Sequence, residues 1–247
     1  MTFSRIAAAA ALTLALGGTA LATGAVNYVP NAVADPTRPK EDREADAIRL
    51  PLDTLRFSGV KPGMTVGELY PCGGYFGRMI SSVVGDKGKV YGLETTRWKG
   101  CYENDEKMIA TLPLKNYTAK AEAFGAFTLP EPVDLFWITQ NYHDLHIAEY
   151  GSVDMAAFNK HVFDSVKPGG VYFIVDHQAN PGTAAAAIAK LHRIEKAQVI
   201  REVEAAGFKF AGEGDFLHRA GDDHTLSIFD DKIRGKTDQY ALKFVKP

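Results

Sequence analysis

Short apolar runs recur along the chain, separated by stretches whose apolar residues fall at helical spacing. Met64 to Leu69, Lys89 to Glu94, Val133 to Thr139 and Gly170 to Asp176 are long enough for strands buried on both faces. Lys115 to Ala121 is a weaker strand, and Phe208 to Phe216 and Gln239 to Val245 have strand character at the C-terminus. Between them, the spacing predicts helices over Thr37–Thr54, Tyr75–Val84, Glu103–Leu112, Val153–Val166 and Thr183–Ala206. Lys61-Pro62-Gly63, Gly85-Asp86-Lys87-Gly88 and Lys167-Pro168-Gly169-Gly170 punctuate the pattern as turns. Strands alternating with helices imply an α/β domain, a doubly wound and mostly parallel sheet with helices on both faces.

The first residues follow a different pattern. Arg5 precedes the apolar, Ala- and Leu-rich run Ile6 to Leu16, and small residues follow, with cleavage possible after Ala22 or after Ala34. That is the layout of a secretory signal peptide, too short for a comfortable membrane span. Residues 1–34 are therefore set apart and residues 35–247 read as one domain, located in the periplasm or secreted. Arg5 is the only charge in the excluded segment, so 28 − 1 = 27 basic groups face 30 acidic ones. This near-balance argues against a nucleic-acid partner. In an exported chain the two cysteines, Cys72 and Cys101, either form a disulfide or remain free thiols.

Residues 60–94 form a βαβ unit whose loop, Pro71-Cys72-Gly73-Gly74, opens onto a helix N-terminus. Free N–H groups and the helix dipole there favour polar or anionic ligands. Glu94, 22 positions after Cys72 at the end of the second strand, is placed to hold ribose hydroxyls. The unit reads as a site for a nucleotide-type ligand.

Polar residues gather where later strands end, which is where open parallel sheets bind ligands. The run Gln140-Asn141-Tyr142-His143-Asp144-Leu145-His146 follows the fourth strand, and Asp176-His177 ends the fifth. His192-Arg193 and Asp222-Asp223-His224 lie in loops and helices, so five of the seven histidines fall in these segments. Acid/base or binding chemistry is one reading, since histidine titrates near neutral pH. A metal site is the other, because His143, His146, His177 and Asp176 are ligand types. A loop H-x-x-H without an H-E-x-x-H helix is a weak signature, and no metal is assigned. His161 and His218 are read as structural.

The blocks V-K-P-G-M-T-V-G-E-L, V-Y-G-L-E, V-D-L-F-W-I-T and V-K-P-G-G-V-Y-F-I-V-D-H resemble successive signatures of class I S-adenosylmethionine-dependent methyltransferases. Q-N-Y-H-D-L-H, L-H-R-I-E, E-V-E-A-A-G-F and R-G-K-T-D-Q-Y-A-L-K-F resemble an exported branch of predicted methyltransferases, over roughly residues 40–247. The resemblance implies a seven-stranded sheet with an antiparallel last strand. It implies S-adenosylmethionine as cofactor and methyl transfer to a small-molecule acceptor. By position, Glu68 would orient the loop near the methionine moiety, and Cys72, Gly73 and Gly74 would form the cofactor loop. Glu94 would take the ribose, with Glu122 near the adenine and Gln140 facing the methyl group. Asn141, His143 and Asp144 would face the acceptor, with His143 or Asp144 as base. One departure stands out: where the family usually has G-x-G-x-G, this chain has Tyr70, Cys72 and Gly74. Two other readings follow: a non-catalytic ligand-binding module with a degenerate cofactor loop, or a nicotinamide-dependent oxidoreductase sharing the βαβ logic.

Overall fold

A computed structural model describes residues 27–113 and 115–247. The apolar run before residue 27 and the cleavage position after Ala22 lie outside the described residues. The later cleavage position, Ala34, ends helix α1 (Tyr28–Ala34), whose Ala32 is buried and which packs on helices of the domain. Among the described residues, no helix is long and apolar enough to cross a membrane.

Seven strands form one sheet: β1 (Thr65–Leu69), β2 (Lys89–Thr95), β3 (Tyr117–Glu122), β4 (Val133–Thr139), β5 (Val166–His177), β6 (Lys209–Gly214) and β7 (Gln239–Val245). Their order is β3-β2-β1-β4-β5-β7-β6. The first five pair parallel, and β7 inserts antiparallel between β5 and β6. This is the doubly wound, mostly parallel sheet with an antiparallel last strand expected above. The order reverses at the β1–β4 pair, where loops from both halves diverge and leave a crevice at the strand ends.

Helices α4 (Tyr75–Val84), α5 (Lys99–Thr111) and α6 (Met155–Ser165) follow the predicted pattern with shifts at their ends. Asp154 caps α6, accepting from Ala156 N–H and Ala157 N–H. Two long predicted helices are broken. Thr37–Thr54 becomes α2 (Lys40–Arg49) and α3 (Pro51–Ser58), parted at Leu50, which sits in a left-handed turn. Pro51 explains this break: its ring disfavours the helical conformation in the residue before it, while suiting the first turn of a new helix. Thr183–Ala206 becomes α7 (Ala185–Leu191) and α8 (Lys196–Ala205). His192 is left-handed there, and Arg193 is fully buried with its guanidinium on Asp222, Nη1 to Oδ2 at 2.8 Å. Burying that ion pair requires the chain to leave the helix at His192. Two apolar layers, one on each face of the sheet, complete the core.

Candidate active site

The loop after β1 adopts an unusual conformation. Tyr70, Cys72, Gly73 and Gly74 all have positive φ, at 53°, 42°, 93° and 72°. For Tyr70 and Cys72 this costs on the order of 1–3 kcal/mol each, which the surroundings must offset. The Cys72 N–H donates to Glu94 Oε1 and the Gly73 N–H to Asp105 Oδ1, both at 2.6 Å. Arg78 Nη1 donates to Gly73 O at 2.7 Å, and a disulfide ties Cys72 to Cys101 at the start of α5. The two cysteines are therefore paired. The N–H groups of Cys72 and Gly73 point down at buried acids and not into the crevice. Glu94 is 1% exposed and supports the loop from beneath.

Three acids crowd this region. Burial, and then the nearby Asp105 charge, pushes Glu68 up to about 8. The same two causes raise Glu94 to about 8, and burial raises Asp105. Glu68 Oε2 also accepts from Tyr117 Oη at 3.1 Å. Near neutral pH Glu68 and Glu94 retain their protons beside an ionised Asp105.

The side chain of Tyr70 turns away from the loop into an aromatic group. It stacks on Phe124, with ring centres 5.5 Å apart, and meets Trp98 edge-on at 5.1 Å. Tyr150 packs edge-on against Trp98 and Phe124.

The second cluster lies at the ends of β4 and β5. His143 opens a single 3-10 turn, His143–His146, and is buried. Asp176 holds it twice: the His143 N–H donates to Oδ2 at 2.7 Å, and ring Nδ1 lies 2.6 Å from Oδ1. His143 Nε2 lies 3.2 Å from Asp144 Oδ1 and 3.3 Å from His192 Nδ1. His192 Nδ1 is 3.3 Å from the same Asp144 oxygen. Asn141 Nδ2 donates to Asp144 Oδ2 at 2.9 Å. Burial pulls His143 down, but Asp176 and Asp144 outweigh it and raise the ring to about 10. Burial would raise Asp144, yet its bonds to His143 and His192 hold it well below the usual carboxylate range. His177, next in the chain, is pushed down to about 3 by burial and stays neutral.

Both clusters border one cavity of about 500 Å³, within the size range of small-ligand sites. Of the candidate residues, Glu68, Cys72, Gln140, Asn141, His143 and Asp144 line it. Gly73, Gly74, Glu94 and Glu122 do not. Glu122, at the far end of β3, pairs with Lys120 and Thr128. The polar segments away from the cavity are structural: Asp222 and Asp238 accept from each other's loop and from His224 and His218. A larger groove of about 670 Å³, between α1, α2 and α5, brings together no comparable cluster of histidines and acids.

Two further wall residues are placed only by the fold: His192, which the sequence grouped with the other histidines without a role, and Arg49, which carried no signal. His192 reaches the cavity only because the helix breaks there. Arg49, the last residue of α2, lies over the Tyr75 ring at 4.4 Å and donates from Nη2 to the neutral Gln140 Oε1 at 2.9 Å. Among the described residues, no carboxylate pairs with it.

No family model and no curated protein matches this sequence. Solved structures do match. An S-adenosylmethionine-dependent methyltransferase from Aquifex aeolicus is 19% identical, with a TM-score of 0.57 over 82% of this chain and 98% of that one. A putative sarcosine dimethylglycine methyltransferase from Galdieria sulphuraria is 15% identical, with a TM-score of 0.59 over 83% and 84%. The [4+2]-cyclase SpnF is 12% identical, with a TM-score of 0.58 over 83% and 80%. The fold is that of the class I methyltransferases. At these identities the likeness concerns the fold alone, and fold does not carry activity with it.

Proposed function

We propose that this chain transfers a methyl group from S-adenosylmethionine to a small acceptor in the cavity at the β1–β4 crossover. The observation that carries the reading is Arg49. A guanidinium that burial makes harder to keep charged, with only a neutral amide and an aromatic face as partners, calls for an anionic ligand group. The cofactor's methionine carboxylate meets that demand. At the other end, Tyr70, Trp98 and Tyr150 offer flat apolar faces suited to an adenine ring. The two ends fit the cofactor. Glu94, expected at the ribose, lies beneath the loop, and we assign it to holding the loop's shape.

When bound, the cofactor supplies an electrophilic methyl group. The chain contributes position: Arg49 and Gln140 fix a carboxylate, and the aromatic wall excludes water. Of the two residues expected as base, Asp144 remains ionised while His143 carries a proton between two carboxylates. His143 thus has no free lone pair and Asp144, held well below the usual carboxylate range, is a weak proton acceptor, so His143, Asp144 and Asn141 contribute by orienting the acceptor at the cavity wall. We further place this activity outside the cytoplasm, a location supported by the Cys72–Cys101 bridge.

Calorimetric titration of S-adenosylmethionine and S-adenosylhomocysteine, with and without reductant, tests the reading. Micromolar binding in either redox state is expected. No binding in both states would overturn it and favour a second reading, a cofactor-free ligand-binding module. That alternative draws on the loop donors consumed by Glu94 and Asp105. It also draws on the fold's use by SpnF, described as a cyclase.

A further inference from the structure

The geometry points to a divalent transition-metal site formed by His143 Nε2, Asp144 Oδ1 and His192 Nδ1 in the cavity wall. These three atoms form a nearly equilateral triangle with edges of 3.2, 3.3 and 3.3 Å. Treated as one face of a tetrahedron, such a triangle centres an ion about 2.0 Å from each atom, at the zinc–nitrogen and zinc–oxygen distances. Treated as an octahedral face, it would place the ion at about 2.3 Å, too far for zinc on these ligands. Two imidazoles and a carboxylate also suit an ion of zinc's intermediate softness.

The groups behind the triangle are arranged as they are around metal ligands. His143 faces Asp176 through Nδ1, at 2.6 Å, so a proton on Nδ1 leaves the Nε2 lone pair directed at the ion. The second oxygen of Asp144 accepts from Asn141 Nδ2. Ligand orientation is thus set on two of three sides before any ion arrives.

Charge balance favours the same conclusion. Asp144 and Asp176 are both buried, and among the described residues no lysine or arginine pairs with either. One dication matches two carboxylates once it displaces the proton that His143 carries in its absence, leaving both imidazoles neutral. All three ligand residues belong to the cavity wall, so the fourth position is reached from the cavity. It would take water or an oxygen of the bound small molecule. The acceptor class this adds to the proposed function, on which this one clause rests, is a molecule with a metal-binding oxygen.

The test uses the full chain without an affinity tag and without S-adenosylmethionine, so it fails or succeeds independently of the methyl-transfer reading. After treatment with a chelator, the protein is titrated with Co²⁺, whose visible ligand-field bands report tetrahedral nitrogen and oxygen ligation. One equivalent per chain is expected, displaced by Zn²⁺. His192→Asn keeps a residue that tolerates the left-handed backbone and should weaken binding at least tenfold, as should Asp144→Asn. Asp176→Asn, acting through His143, should cost about 10–100-fold. His218→Ala, outside the triangle, should bind as the parent does. A folded parent protein that takes up neither Co²⁺ nor Zn²⁺ stoichiometrically overturns the proposal. So does a folded His192→Asn protein with unchanged affinity.

Discussion

The two sides of the cavity are built on opposite principles. On the β1–β2 side, the loop Tyr70–Gly74 is strained and then locked, by a disulfide above and by Glu94 and Asp105 below. Its polar groups are spent on one another. On the β4–β5 side, Gln140 to His146 is a short turn that lines the cavity with Gln140, Asn141, His143 and Asp144, and one buried acid, Asp176, sets the orientation of His143. There the polar atoms remain available to a ligand. Backbone strain locked over buried acids makes a closed wall, whereas side chains oriented by neighbours make one open to a ligand.

Perturbing each side should separate these roles. The largest effect is expected at Arg193, whose burial against Asp222 positions His192. Arg193→Ala breaks a fully buried ion pair and should cost about 3–5 kcal/mol in urea unfolding. A loss under 1 kcal/mol would mean the break between α7 and α8 does not depend on that pair.

On the opposite side, Cys72→Ser with Cys101→Ser opens a loop of sequence separation 29. Chain entropy puts the loss at about 3–4 kcal/mol, read against the oxidised parent. If the bridge also holds the wall rigid, the same variant should change ligand affinity. If affinity is unchanged, the acids beneath suffice.

Arg49→Ala should lower S-adenosylmethionine affinity by about 1.5–3 kcal/mol, the worth of a charge-assisted hydrogen bond, measured by calorimetry. Equal affinity in a folded variant removes Arg49 from the ligand site.

The carboxyl pocket predicts a pH dependence. An unfolded glutamate releases its proton near 4.5, but Glu68 and Glu94 hold theirs to about 8. Between those values the folded state binds more protons. Their stabilising contribution is therefore complete below about pH 4.5 and is lost as pH rises through about 8. Glu94→Gln should flatten that fall in chemical denaturation between pH 5 and 8. An unchanged slope would show that Glu94 ionises normally.

The smallest effect belongs to Glu122→Ala. Its partners are Lys120 and Thr128 at the surface, so stability should change by about 0.5 kcal/mol or less. Ligand affinity should stay the same, and a tenfold loss would restore Glu122 to the adenine end.

Several of these features could be read along the chain. Val133 to Thr139 is apolar without interruption, and such a run has few places to go except the middle of a parallel sheet. The break at Leu50 was legible too, since Pro51 announces it, although the helical spacing of Leu52 and Leu55 obscured it. Nothing comparable marks His192. The stretch around it has helical periodicity, and only the demand of Asp222, 29 residues further on, pulls Arg193 inward and turns His192 to the cavity.

The sequence by itself determined the order of strands along the chain, the place of the glycine-containing loop after the first strand and the gathering of histidines after the fourth and fifth strands. These depend on local spacing and on the rule that parallel sheets bind ligands at their C-terminal ends. The tertiary structure alone decided that the Cys72 and Gly73 donors face Glu94 and Asp105, that Arg49 faces the cavity without an acid, and that His143, Asp144 and His192 meet. Each of those outcomes turns on a partner distant in sequence, brought within a few ångströms by sheet order and by the break between α7 and α8. Which partner meets a buried charge is set by the whole packed chain.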